Sequence, residues 1–395
     1  MLSLTTNAQE RYLTLRGEIT DAKTRAPLGY ANIGILGKAI GTTSNSSGTF
    51  EFHIPISYSK DTVSVSYIGY RTYKICLADW QSERTLDVAM QTTIYELKEV
   101  VIRDKPYTVC SLLDDVLKNY DTNYGTTPYE MEAFYREVRQ TDKKFNYLIE
   151  AAVHIYKASY KKENVIQLKQ IRKSSGPNEY GRENRLAGLL KNDYVSNPYM
   201  GFYKRFKKKN AYIIEDTTII DNHPVYVVSF GRLPSWKQTF YINADDFAII
   251  RYDVETYYGK EGNLAMGKEE KNKVFRYRYL KVVNSFSLKN GKYYLNYIKM
   301  KVEHDLFNEL EKKIEKYNVW EREILINNVN STNVKPIEPQ YIMRNEKLED
   351  QLRGYDERFW KNYNILIRTP LEEQIVKDLE KESTLDEQFA KQRRQ

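Results

Sequence analysis

Four histidines, His53, His154, His223 and His304, are the side chains with the widest chemical range in this 395-residue chain. A zinc peptidase centre takes His-x-x-Glu, or two histidines one helical turn apart, with a remote third ligand, because one helix face must present two donors to the same ion. None of the four has Glu three residues on, and no two stand four apart. The chain also lacks a Gly-x-Ser-x-Gly elbow, a Walker loop and a Gly-x-Gly-x-x-Gly turn. Cys110 with a distant histidine would make a thiol dyad, but it begins a helix and has no second supporting motif. Asp114-Asp115 and Asp245-Asp246 are paired acids of the type glycosidases use, yet neighbours on a helix face or in a tight turn are expected to be solvated. The run YKRFKKKNAY, 203–212, combines basic and aromatic residues that can grip phosphates or lipid headgroups, and reads more simply as a solvated loop. No catalytic, cofactor-binding or metal residue is assigned, and no cofactor is expected. The chain reads as a non-enzymatic protein; the alternative is a hydrolase whose carboxylates are scattered over strands.

The elements that would carry these residues are mostly strands. Tyrosines number 34 against 14 phenylalanines, and tyrosine suits half-buried strands whose outer end meets water. With 41% hydrophobic and 29% charged residues the chain is globular, and no apolar run approaches the roughly 20 residues of a spanning helix. The net charge of +8 arises from 61 basic and 53 acidic residues interspersed, a mild bias that requires no anionic partner. Cys76 and Cys110 are too few for a disulfide framework and read as two buried thiols, with pairing left open. Leu2 and Leu4 followed by Thr6, Asn7 and Ala8 resemble the end of a secretory signal, so residues 1–12 are expected to be its remnant.

From Leu13 to about Arg103 short alternating runs recur between turn signals. YLTLRGEIT, ANIGILG, GTFEFHI, DTVSVSYIGY, RTYKICL, RTLDVAM and KEVVIRD predict a seven-stranded antiparallel sandwich. Asp21 closes a turn on its own backbone, Pro27 pre-sets φ for the following strand, and Gly48 and Gly69 permit positive φ. In order and spacing, LRGEITDAKTRAPLGYANIGI, GTTSNSSGTFEFHIP and DTVSVSYIGYRTYKI resemble the carboxypeptidase-regulatory-like domain, a transthyretin-like sandwich of many exported Gram-negative envelope proteins. The family often has Thr-Gly-Glu-Pro where Thr24, Arg25, Ala26 and Pro27 stand, and an acid where Ser44 stands, so a calcium role for that turn is not carried over. ELKEVVIRD, 96–104, is similar to the energy-coupling segment that follows this sandwich in TonB-dependent receptors. Their 22-stranded barrels do not fit in the roughly 290 residues that remain, and the segment reads as the sandwich's last strand.

Beyond Arg103 the pattern changes. Leu112, Leu113, Val116, Leu117 and Tyr120 fall at helical spacing, with Asp114 and Asp115 opposite, and predict an amphipathic helix. From Tyr129 a long antiparallel meander is expected, turned by DNHP at 221–224, NADD at 243–246 and Asn290-Gly291, with a further helix near RENRLAGLLKND. This meander predicts a half-open barrel wrapping helices. DNHPVYVVSFG and TFYINADDFAIIRYDVE resemble the lipoprotein-carrier half-barrel.

The expected domains are 13–104, the sandwich; 105–330, the half-barrel; and 331–395, a stiff VKPIEPQ linker and a helical tail. In the tail Thr369 would cap a helix beginning at Pro370, and Phe359, Trp360 and Tyr363 would dock on the barrel. The resemblances imply an exported binding or assembly protein of the periplasm or outer membrane. Its partner would be an envelope protein, a glycan or a lipid, with peripheral membrane association, no transmembrane helix and no nucleic acid; an accessory role beside a TonB-dependent transporter is a further alternative.

Overall fold

Period-two alternation becomes strand wherever one face finds a core, and here three separate cores form. The computed structural model describes residues 11–80, 85–93, 108–175, 185–196, 211–221, 223–259, 263–270, 272–344, 347–351, 354–367 and 370–391. The expected signal remnant, the ELKEVVIRD segment, Thr369 and nearly all of the basic run at 203–212 lie outside the described residues.

Among the described residues the front module has seven strands: β1 (Tyr12–Asp21), β2 (Asn32–Ile35), β3 (Gly41–Thr43), β4 (Thr49–Pro55), β5 (Thr62–Ser66), β6 (Tyr73–Cys76) and β7 (Thr85–Met90). They form a sheet of order β4-β1-β7 and one of order β3-β2-β5-β6. Leu15, Ile19, Ile33, Phe50, Phe52 and Val65 fill the space between the two. Short β3 is a strand that the sequence pattern did not reveal, and β7 runs parallel to β1, with Arg16 opposite Thr85. Gly48 sits at φ +77°, and a Cβ there would stand 2.4 Å from the Ile19 carbonyl, so this turn excludes other residues.

The second module is one antiparallel sheet. In chain order its strands are β8 (Tyr129–Thr141), β9 (Lys144–Lys157), β10 (Val165–Lys173), β11 (Ile213–Ile220), β12 (His223–Arg232), β13 (Trp236–Asn243) and β14 (Ile249–Tyr257). They continue as β15 (Asn263–Glu270), β16 (Lys273–Lys289), β17 (Lys292–Asn308) and β18 (Lys313–Asn330). Ten of them follow the order β10-β9-β8-β18-β17-β16-β14-β13-β12-β11, and β15 pairs with β16. The two ends do not join, so the barrel is open. All three expected turns are hairpins, and Asn290 and Gly291 take φ +50° and +75°, as a two-residue turn of this hand demands.

The inner face of the sheet is filled by the chain itself. Helices α1 (Val109–Lys118), α2 (Tyr120–Asn123) and α3 (Arg185–Leu190) share one core with β8, β9, β10, β12, β13 and β14. Thr108 and Ser111 cap α1 reciprocally. The helix buries Leu112, Leu113 and Val116, while Asp114 is exposed, as its amphipathic pattern predicts. Tyr120, Tyr124, Tyr160, Tyr194, Phe240 and Tyr252 pack ring against ring there, with Tyr194 stacked on Tyr252 at 3.8 Å. No described helix is long and apolar enough to cross a membrane.

The outer face is covered by the tail. Helices α4 (Glu357–Asn362), α5 (Pro370–Leu379) and α6 (Leu385–Lys391) set Trp360, Ile375, Leu385 and Phe389 against Phe134, Leu148 and Leu325. Trp360 and Tyr363 dock as expected, and the Tyr363 hydroxyl donates to the Ala133 carbonyl at 2.9 Å.

Candidate functional site

The two modules meet along a seam. Val329 N–H donates to the Ala39 carbonyl at 3.2 Å, and Gly69 N–H donates to the Ile219 carbonyl at 2.8 Å. Tail residues 364–367 run along this seam. Asn364 accepts from the backbone N–H of His53 at 2.7 Å and donates to the carbonyl of the same residue at 3.1 Å, so its amide substitutes for a strand on the free edge of β4. Asn45 donates to the Ile367 carbonyl at 3.1 Å.

A crevice of about 170 Å³ opens where sandwich, sheet and tail converge. Tyr30, Asn45 and Ser46 come from the sandwich, Arg136, Lys299 and Glu323 from adjacent strands, and Leu366 from the tail. Strand alternation brings Arg136, Tyr297, Lys299, Glu321 and Glu323 to the outer face, because β8, β18 and β17 are neighbours in the sheet.

Buried charge holds the floor of this crevice. Glu150 is fully buried and accepts from Arg136 Nε at 2.8 Å and from Arg172 Nε at 2.6 Å. Arg136 also lies 3.4 Å from Glu323 through Nη1 and donates through Nη2 to the Leu366 carbonyl. The Tyr297 hydroxyl donates to Glu323 at 2.8 Å, and the Tyr297 ring stacks on Tyr30 at 5.4 Å. Lys299 donates to the Tyr30 hydroxyl and lies 3.2 Å from Glu321. Burial pulls the Lys299 ammonium down, but Glu323 and Glu321 together outweigh it and raise the group above its ordinary value. Burial likewise raises the Tyr30 phenol, opposed by Lys299.

Among the described residues that line the crevice, two cations, Arg136 and Lys299, face two carboxylates, Glu321 and Glu323. The crevice is therefore nearly neutral and rich in hydrogen-bonding groups. Chemically it can hold a neutral polar or zwitterionic segment, its hydroxyls or amides meeting Asn45, Ser46 and Lys299.

The four histidines do not come together. His53 contacts Thr14 and Glu51 on the sandwich, His154 contacts Glu132 at 2.8 Å on β9, and His223 contacts Asp245 at 2.5 Å beyond a hairpin. Among the described residues no group of three or more ligands stands at metal distance. Cys76 and Cys110 are not bonded to each other, and neither is buried: Cys76 is exposed on an edge strand and Cys110 half-buried in the first turn of α1. Asp246 accepts from the Tyr293 hydroxyl at 2.9 Å and closes a turn rather than facing a cavity. Ser44, where the family often has an acid, is fully buried and donates to the Leu28 carbonyl, so it ties the turn internally.

The crevice residues were not singled out from the sequence. Their one signal is a charge inside a strand apolar on both sides of it, as at Ile149-Glu150-Ala151, which requires a buried counter-charge without saying where it lies.

Residues 15–102 match the model of the CarboxypepD_reg-like domain family. No curated protein matches the chain. Among solved structures the chain is similar to a putative outer membrane lipoprotein-sorting protein domain from Vibrio parahaemolyticus, at 8% identity and TM-score 0.25 over 58% of this chain and 95% of that one. It is also similar to the LolA superfamily protein NE2245 from Nitrosomonas europaea, at 12% identity and TM-score 0.22 over 60% and 99% of the two chains.

Proposed function

We propose that the protein is a non-enzymatic binding and assembly component of the cell envelope, exported to the periplasm or the outer membrane. Its crevice at the seam receives a neutral polar segment of a glycan or a peptide. The observation that carries this reading is the balance of charge in the crevice, combined with a floor already locked by internal hydrogen bonds. Export is supported by the sandwich, whose kind occurs in many envelope proteins.

Two alternatives are weaker on physical grounds. A lipid seat needs an apolar hollow, whereas the inner face of the sheet is packed with α1, α2, α3 and stacked tyrosines. A glycosidase-type hydrolase needs two carboxyls free to flank a substrate bond, whereas Glu321 lies 3.2 Å from Lys299 and Glu323 lies 3.4 Å from Arg136.

Native mass spectrometry on protein purified from its own envelope tests the reading. A retained glycan or peptide that is lost from Lys299→Met supports it; a bare protein, or a retained lipid insensitive to that substitution, sinks it.

A further inference from the structure

One wall of the crevice, Glu321 on β18, begins a row of side chains that crosses the outer face of the sheet. Directly opposed residues in four successive ladders set Glu321, Lys301, Lys281, Glu255 and Lys237 side by side, on β18, β17, β16, β14 and β13. Paired residues project to the same side of a sheet, so all five share the face on which Lys299 lines the crevice. A second row runs beside the first, two residues along each strand, and holds Tyr257, Tyr279 and Glu303. At about 4.8 Å per strand the first row covers about 19 Å.

These groups stand open to water. Tyr257 is 44% exposed, and the side chains of Lys281 and Lys301 are 43% and 36% exposed. Each lysine along the rows has a glutamate: Lys237 with Glu215 at 2.7 Å, Lys281 with Glu255 at 3.5 Å, Lys301 with Glu303 at 2.9 Å and Lys299 with Glu321 at 3.2 Å. Tyrosine hydroxyls reinforce two of the pairs: Tyr279 and Tyr257 donate to Glu255 at 2.9 and 3.1 Å, and Tyr317 donates to Glu303 at 2.6 Å. Partial burial pushes both carboxyls up, but the hydroxyls and lysines outweigh it and hold them below the ordinary carboxylate value, so both are ionised acceptors. The Tyr257 and Tyr279 rings, 4.8 Å apart, give the far end an aromatic flank.

A charged chain lying on these rows would compete with the ion pairs, whereas hydroxyls and amides bond to carboxylates and ammoniums without separating them. An extended peptide gains its main-chain hydrogen bonds at a sheet edge, and β14, β16 and β17 are each paired on both sides. We infer, on the basis of the glycan-binding role proposed for the crevice, that the crevice is one end of a longer site for a neutral oligosaccharide. The chain leaves the crevice beside Glu321 and crosses the outer face to Tyr257. Its hydroxyls meet Glu255, Glu303, Lys281 and Lys301, and the apolar face of one sugar lies on the Tyr257 ring. A sugar unit in an extended chain advances by about one interstrand spacing, so successive units meet successive strands.

Chain length supplies the readout. The full chain is titrated by calorimetry with chitobiose and chitohexaose and with maltose and maltohexaose. The expected result is that at least one hexasaccharide binds roughly tenfold or more tighter than its disaccharide. Tyr257→Ala, at an exposed ring, should weaken the hexasaccharide roughly two- to tenfold and so reduce its advantage, whereas Lys299→Met, in the crevice, should weaken both lengths. Equal affinity for the two lengths, or unaltered hexasaccharide binding in Tyr257→Ala, overturns the extended site; the crevice reading then survives if Lys299→Met still loses both. Hexasaccharide binding that responds to Tyr257→Ala but not to Lys299→Met overturns the crevice reading and with it the continuity proposed here. No binding of any of the four saccharides, or a peptide as the ligand retained in native mass spectrometry, overturns the assignment to an oligosaccharide.

Discussion

Glu150 should be the residue whose charge the fold can least spare. Glu150→Gln keeps the shape and one acceptor oxygen but removes the charge that faces Arg136 at 2.8 Å and Arg172 at 2.6 Å. Glu150 and Arg136 are almost completely buried and Arg172 is 8% exposed, so water cannot compensate the two guanidiniums left behind. Breaking a buried pair from one side costs about 3–5 kcal/mol; since Gln retains a neutral hydrogen bond, the expectation lies near the lower limit, with Glu150→Ala near the upper. Arg172 also lies under the Trp360 ring at 4.2 Å and the Phe389 ring at 5.3 Å, so the tail should loosen first. Urea unfolding followed by circular dichroism measures the cost, and hydrogen exchange of residues 355–391 locates it. In an Arg172→Met background the same substitution should cost distinctly less, because one stranded charge is already gone. The reasoning is refuted by a Glu150→Gln loss below about 1 kcal/mol, or by an identical cost in the two backgrounds.

Other consequences follow from the same geometry. Asn364→Ala removes an acceptor and a donor from the buried backbone of His53, and should cost about 1–3 kcal/mol and weaken the hold of the tail on the sandwich, read as faster proteolysis between α4 and α5. Leu189→Ala, in the α3 core, should cost about 2–5 kcal/mol through the cavity it leaves; a neutral result would show that the helices are not integral to the sheet's inner core. The Thr24 backbone N–H and the Tyr70 hydroxyl hold the Asp21 carboxyl down to about 2. A depressed carboxylate stabilises the fold above its unfolded value and loses that contribution as acid titrates it, so the native protein should lose stability between about pH 4 and 2 more steeply than Asp21→Asn. Gly48→Ala should prevent the sandwich from closing, visible as a collapse of soluble yield.

Much of the architecture was legible in local residues. Asp21, Gly48 and Asn290-Gly291 carry their turn chemistry with them, and Leu112, Leu113 and Val116 mark the face of α1 whatever it packs against. Exposed Cys76 was misjudged as buried, because hydrophobicity of a thiol predicts burial only when the strand has a partner on both edges, and β6 lies at the margin of its sheet. Strand β10, VIQLKQIRK, mixes charge into its alternation, and the long strand β16 carries a polar residue, Asn284, fully buried within its run, so neither shows a clean period of two.

By itself the sequence determined what depends on near neighbours: the kinds of element, the turns between them, the sandwich family likeness and the absence of recognised catalytic motifs. Tertiary structure decided what depends on residues far apart. Arg136, Glu150 and Glu323 span nearly 190 positions yet meet through strand order, since β18 inserts beside β8. Only that order turns isolated charges into a balanced crevice on the outer face. Pairing between distant strands is set by the global closure of the core, which no local window of residues contains.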